Sequence, residues 1–312
     1  VSMTVLQAGV LSLLQDSGRY GQQRLGLSTG GPVDSVAFHY CNRLLQNPNG
    51  CTAIEISVGG LQLLLQTDTY ICLTGADMPL SINGEDKNRW EVHRVNSGDI
   101  LRVGFARSGC RAYLGVAQGF DIAHSFGSSA TVVRESIGGL HGAPLQSGDQ
   151  LPCATTSDRK QLFLPAADWP RYQNTLTVRV VPGYQQSHFS RVEQRRFFGS
   201  AFNVSRQCDR MGYRLEGPPI DCEIQGVLSE GICHGAIQIP PDGQPIVLLN
   251  DRQTIGGYPK IGTALSLDVA RLSQLVPGSS VHFAPITLHT AHRALDLAQR
   301  FVLQRPLLER HS

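Results

Sequence analysis

The chain has 312 residues, of which 41% are hydrophobic and 17% charged, enough apolar material for one large core or two of ordinary size. Its 27 basic and 25 acidic residues leave a formal charge of +2; no basic stripe with interleaved aromatics is present, so no nucleic-acid partner is expected. No run approaches the ~18 consecutive apolar residues of a membrane span, and the first residues show no basic-then-apolar leader, so the expectation is a cytoplasmic protein without a membrane partner.

From residue 4 the pattern is of short strands and turns: a strand over 10–15, then the turn Asp16-Ser17-Gly18-Arg19. A helix is predicted after Gly31-Pro32, capped by Asp34, with Ala37, Phe38, Cys41, Leu44 and Leu45 on one face, and ended by Asn47-Pro48. Strand-like runs follow at 53–58, 61–65, 70–74, 80–82, 100–105 and 113–117, at the spacing of a barrel or sandwich. Between residues 153 and 175 the period fades, which places a domain boundary there and divides the chain into 1–160 and 175–312. The second half predicts strands at 176–181, 202–205, 213–216, 236–239 and 245–249, with a turn at Pro240-Pro241-Asp242-Gly243. It also predicts a short helix over 186–195 and a helix capped by Asp268 and running to residue 275. A terminal helix is predicted over 287–303, with Leu288, Ala291, Leu295, Ala298 and Val302 on one face.

Several chemistries lack their motif. There is no G-x-x-x-x-G-K-[ST] loop, no G-x-G-x-x-G between strand and helix, and no G-x-S-x-G elbow. No H-E-x-x-H or Cys/His quartet is present, and the pair His289 and His292 lacks a third ligand, so no metal site is expected. No Met-Lys dipeptide offers a biotin lysine. The eight cysteines contain no C-x-x-C pair and read as free thiols in a reducing compartment. Lysine is scarce: Lys87, Lys160 and Lys260 stand against 24 arginines.

Two clusters pack polar residues and glycines more densely than turns require. The first holds Gln15-Asp16-Ser17-Gly18-Arg19, Gly30-Gly31-Pro32-Val33-Asp34, Asn42 and Glu55; the second holds Asp209-Arg210-Met211-Gly212-Tyr213-Arg214, Ser229-Glu230-Gly231, Gln238 and the stretch 250–259. Glycines beside such residues let backbone amides approach a ligand that the side chains orient. Asp34 reads first as a helix cap, and Asp16 as an Asx turn or a ligand contact. Arg19 would bind an anion or brace Asp16, and a buried Glu55 would need a partner, for which Arg19 is a candidate. Arg210 and Arg214 would face a cleft or a carboxylate. Gln238, between Ile237 and Ile239, would point into a groove or solvent. Asp251, Gln253 and Thr254 sit on a loop after an apolar strand, where binding residues concentrate. The resulting candidates are Asp251, Gln253 and Arg210 for catalysis, and Asp16, Arg19, Asp34, Asn42, Glu55, Arg214, Gln238, Thr254 and Tyr258 for substrate binding.

The strings Q-D-S-G-R-x-G, R-M-G-x-R-L and G-x-I-Q-x-P-x-x-G-x-P-I-V-L-x-x-D-x-Q-T-x-G-G-Y-P together resemble the allophanate-hydrolase-subunit-2 family, also called the KipA or biotin-dependent-carboxyltransferase-like family. The resemblance spans residues 4–283, with departures at Gln118-Gly119 and Arg252. It implies a mostly β fold of two cyclophilin-like β-barrel domains with a few short helices. Stand-alone members serve as a non-autonomous subunit of ATP-dependent 5-oxoprolinase, which opens 5-oxo-L-proline to L-glutamate. In that enzyme they work together with the A subunit and the KipI-like B subunit. The cofactor so implied is ATP with Mg²⁺, and none is bound covalently. Other roles in the family are a regulator that binds a KipI-like sensor-kinase inhibitor and the carboxyltransferase component of a biotin-dependent carboxylase.

Overall fold

The computed structural model describes residues 2–224 and 226–310. Among these the chain forms mostly strands, four α-helices and a few 3-10 turns. They divide into two compact units, the first drawn from Val1–Tyr20, Gly30–Tyr172 and Gln304–Ser312, the second from Gly21–Thr29 and Gln173–Leu303. The units therefore differ from two contiguous halves: a short N-terminal segment joins the second, and the C-terminal tail returns to the first.

The first unit holds two antiparallel sheets. One has six strands in the order Gln150–Pro152, Ser2–Ala8, Leu61–Leu65, Ile100–Val103, Leu80–Ile82 and Glu85–Lys87; the other has five, Leu11–Gln15, Ala53–Ser57, Arg111–Val116, Thr69–Gly75 and Val92–Val95. Alternation sets the inner face: Leu61, Leu63 and Leu65 are buried while Gln62 and Leu64 are half-buried. They meet Met3, Val5, Ile54, Ile56, Leu73, Leu101 and Leu114 in one core. Strand Thr69–Gly75 is buried on both faces, because helix α1 (Ser35–Leu44) covers its outer side, where Thr74 Oγ1 donates to the Ala37 carbonyl at 2.7 Å. Gly115 permits that approach. A Cβ there would lie 2.7 Å from Cys41 Sγ and 2.8 Å from Leu45 Cδ1.

In the second unit the strands close into a seven-stranded barrel, in the order Thr175–Pro182, Lys260–Ala264, Ala236–Gln238, Ile246–Leu248, Gly212–Glu216, Ala201–Cys208 and Ser280–Pro285. Closure comes from the parallel pairing of the first strand with the last. Val178, Val180, Phe202, Leu215, Ile237, Val247, Ile261 and Phe283 fill the interior. Helix α2 (Arg191–Gly199) plugs it with Phe197, stacked on Phe283 at 4.3 Å between centroids. Truncating such a ring to alanine costs about 3–5 kcal/mol. The expected barrel is thus closed in the second unit, while the strands of the first remain in two sheets on a shared core.

Three helix expectations change. The segment 186–195 is a 3-10 turn, Tyr184–His188, followed by α2, whose start is fixed by Ser190 Oγ accepting from Glu193 N. Helix α3 (Ser266–Leu272) has no side-chain cap; Asp268 instead receives the backbone N, Nε and Nη2 of Arg179, each at 2.8 Å. An acceptor that close to a guanidinium fork prefers two charge-assisted bonds to one helix amide. Helix α4 (Leu288–Gln304) buries only Ala291; Leu295, Ala298 and Val302 are half-buried and Leu288 is exposed. No described helix is long and apolar enough to cross a membrane.

Candidate functional site

The barrel unit builds its candidate site from the end of strand Ile246–Leu248 outward. Asp209 Oδ1 accepts from the backbone N of Met211 and Gly212, a turn that presents Arg210. Arg210 then grips Asp251 through Nε–Oδ2 and Nη2–Oδ1, both 2.9 Å, and the Asp251 amide donates to the Arg210 carbonyl. Both residues are 5% exposed, so this is a buried, bidentate ion pair. Arg252 extends the clamp by donating to the carbonyls of Leu249 and Ile232, and its own carbonyl accepts from Ser28 Oγ at 2.8 Å. Beside it His234 faces Asn250 Oδ1 at 3.2 Å, and burial, with the charge of Arg252, pushes the imidazole down to about 4. The loop backbone is therefore rigidly held. Upon it Gln253 and Thr254 are half-buried and Tyr258 is 42% exposed. No hydrogen bond among the described residues uses the Gln253 carboxamide, so its donor and acceptor remain available.

Gln238 is buried, 2% exposed, rather than facing open solvent. It does leave the barrel on the side opposite Ile237 and Ile239, but a two-stranded ribbon, Glu230–Gly231 with Ile255–Gly256, covers that side. Under the ribbon Glu230 receives Lys260 Nζ, Tyr184 OH and Gln185 Nε2, the last at 2.7 Å. The bonds from Lys260 and Tyr184 hold the Glu230 carboxyl below the usual carboxylate range. Arg214 does not join this group. Its guanidinium pairs with Asp242 in the turn after strand Ala236–Gln238.

In the first unit the polar cluster is a brace. Asp16 Oδ1 accepts from Gly18 N and Ser128 Oγ, and Oδ2 from Ser129 N. Arg19 is fully buried and donates to the carbonyls of Ser125, Ser128 and Ala130, so it shares Ser128 with Asp16. Asp34 caps α1 by accepting from Ala37 N, and its second oxygen accepts from Tyr172 OH at 2.8 Å. Glu55 finds Tyr113, whose hydroxyl donates at 2.7 Å, and Val33 N at 3.1 Å, while Arg19 donates to the 125–130 carbonyls. Burial, and then the negative charge of Glu55, push the Tyr113 hydroxyl well above its ordinary range. Asn42 ties the end of α1 to the next loop through Cys51 O and Asn47 Nδ2.

The structure thus brings Arg210, Asp251, Gln253 and Thr254 together in one unit, and Asp34 and Glu55 around Tyr113 in the other. The sequence reading missed Tyr184, Gln185 and Lys260, which have no motif of their own; scarcity of lysine was the one available signal. It also missed Tyr113, Tyr172 and Ser128, whose roles arise from long-range pairing.

The family profile described as "Carboxyltransferase domain, subdomain A and B" matches residues 25–285. The chain belongs to that family. This carboxyltransferase-type chain is 34% identical over 305 residues to the 5-oxoprolinase C subunit of Escherichia coli, covering 97% of both chains. It is 33% identical to the 5-oxoprolinase C subunit of Haemophilus influenzae, over 92% of both. Among solved structures it is similar to the urea amidolyase of K. lactis, with TM-score 0.91 and 26% identity, covering 96% of this chain and 20% of that one. A second, the urea carboxylase of Kluyveromyces lactis, gives TM-score 0.89 and 26% identity over 96% of this chain and 29% of that one. The chain therefore spans about a fifth to under a third of those large enzymes, but nearly the whole of the two bacterial C subunits.

Proposed function

We propose that this carboxyltransferase-type chain is a non-autonomous subunit of an ATP-dependent 5-oxoprolinase in the cytoplasm. With an A subunit and a KipI-like B subunit it opens 5-oxo-L-proline to L-glutamate. The observation that carries the reading is the end-to-end match to two bacterial 5-oxoprolinase C subunits, each covered almost completely. The site geometry supports a division of labour on the barrel unit. The Arg210–Asp251 pair positions the loop 250–259, and Gln253 and Thr254 present polar groups to the amide being opened. Fixed dipoles of this kind stabilise charge as it develops without reorganising. Among the described residues no three His, Cys, Asp or Glu side chains gather as a metal-ligand set, and the sequence has no phosphate-cradling G-x-x-x-x-G-K-[ST] loop. In this reading the amide is assigned to this chain.

Co-expression with the two partner chains, size-exclusion chromatography, and an assay of the co-eluting complex test this. A stable complex should form glutamate from 5-oxo-L-proline and ATP. Separate elution at micromolar concentration, or a complex without that turnover, contradicts the proposal. The likeness to urea carboxylase favours one second reading, a carboxyltransferase component, for which carboxyl transfer from carboxybiotin to urea by the same complex would be the positive result.

A further inference from the structure

The outer face of the barrel carries a polar cluster that the Arg210–Asp251 clamp does not use. Ile237 and Ile239 enter the core, so Gln238 between them leaves from the other face, in register with Lys260 on the neighbouring strand. The ribbon lies over both. Glu230 stands opposite Gly256 in its register, and a Cβ on Gly256 would come 2.9 Å from Gln238 Nε2. Lys260 Nζ closes the ring by pairing with Glu230, and Gln185 joins its backbone to its side: Oε1 accepts from Lys260 N at 2.8 Å. Inside this ring the Gln238 side chain is 2% exposed, yet its Nε2 has no hydrogen-bond partner among the described residues. A buried amide donor left unmade is costly, and such a group in an otherwise satisfied polar cluster points to a missing ligand.

We propose that Gln238, with Lys260 beside it, is the receiving group of a subsite for the cis-amide edge of a small lactam, meaning its adjoining N–H and C=O. A carboxamide offers one donor and one acceptor side by side, the complement of that edge, and the ammonium of Lys260 adds positive charge for the carbonyl oxygen. Glycine at 256 lets the ribbon backbone and Ile232 pack directly over Nε2, so the lactam would take the place of the ribbon there. The covering ribbon pairs over two residues on each strand, is extended by Ile232 N to Thr254 O and Val227 N to Gly257 O and is anchored by Glu230, so lactam entry requires these contacts to part. The choice of a lactam rests on the 5-oxoprolinase reading; the cluster itself does not.

The test is calorimetric titration of the purified full chain, without its partners, with 2-pyrrolidinone, 5-oxo-L-proline, L-proline and acetate. Both lactams should bind, while L-proline, which lacks the amide edge, and acetate should not. Gln238→Glu and Gln238→Met should each weaken both lactams by about tenfold or more, with the melting temperature unchanged or raised for Gln238→Met and lowered for Gln238→Glu, which buries a carboxylate. Lys260→Met should weaken them as well, which keeps the test open should one Gln238 variant misfold. Absence of lactam binding by the wild-type chain, equal binding by the Gln238 variants, or acetate binding as tightly as the lactams would each overturn the subsite. A partner complex that fails to turn over 5-oxo-L-proline would overturn the proposed activity alone, because the titration does not depend on it.

Discussion

A carboxylate whose two oxygens each accept a guanidinium bond, at 5% exposure, is fixed in a bidentate, charge-assisted pair. We propose that Asp251 and Arg210 support the loop, rather than take the catalytic role that their residue types suggested. Arg210→Ala would leave a buried carboxylate without its fork and should lower unfolding free energy by about 3–5 kcal/mol in urea melts. Gln253→Ala should leave stability within about ±0.5 kcal/mol and lower turnover of the reconstituted complex by roughly 10²–10³-fold. Equal rates at unchanged melting temperature would show that Gln253 touches nothing that reacts. His234 makes a pH prediction. Its folded pKa of about 4 lies below the ordinary value of about 6.5, so the unfolded chain binds more protons between these values. Stability should then fall as pH drops from about 6.5 to about 4 and gain nothing further from this group below that. His234→Asn should flatten that segment of a melting-temperature profile; an unchanged slope would assign it to other groups.

Among the elements, α1 was legible because its apolar period and its Asp34 cap are both local, and Asp34 does accept from Ala37 N. The packing of that helix hinges on Gly115, which no local pattern reveals. Gly115→Val should force Cys41 and Leu45 away and cost about 1–3 kcal/mol by overpacking, read as a lower urea midpoint. Helix α3 was misjudged at its cap because the partner of Asp268 is Arg179, on a strand distant in sequence. The same limit applies to the candidate site. Alternation correctly put Gln238 on the face opposite Ile237 and Ile239, but its burial is due to a ribbon supplied by residues 230–231 and 255–256. Glu55 likewise needed a partner, and Tyr113, from a strand distant in sequence, supplies one. Local patterns thus identified strands, turns and the first helix; closure of the barrel through a parallel pair of its first and last strands lay beyond them.

Across the whole molecule, each unit draws on segments from both ends of the chain. The tail is anchored in the first unit by Leu308–Glu309 pairing with Leu162–Phe163, and by ion pairs Lys160–Glu309, Arg310–Glu91 and Arg305–Asp168. The sequence match over nearly the full length of the C subunits of two bacterial 5-oxoprolinases supports the proposed role of a subunit that acts only in company. The most direct measurement is glutamate release from 5-oxo-L-proline and ATP by the purified three-chain complex, with each chain withheld in turn. Turnover should require this chain and should be absent from this chain alone. Undiminished turnover without it, or robust turnover by it alone, would contradict the account.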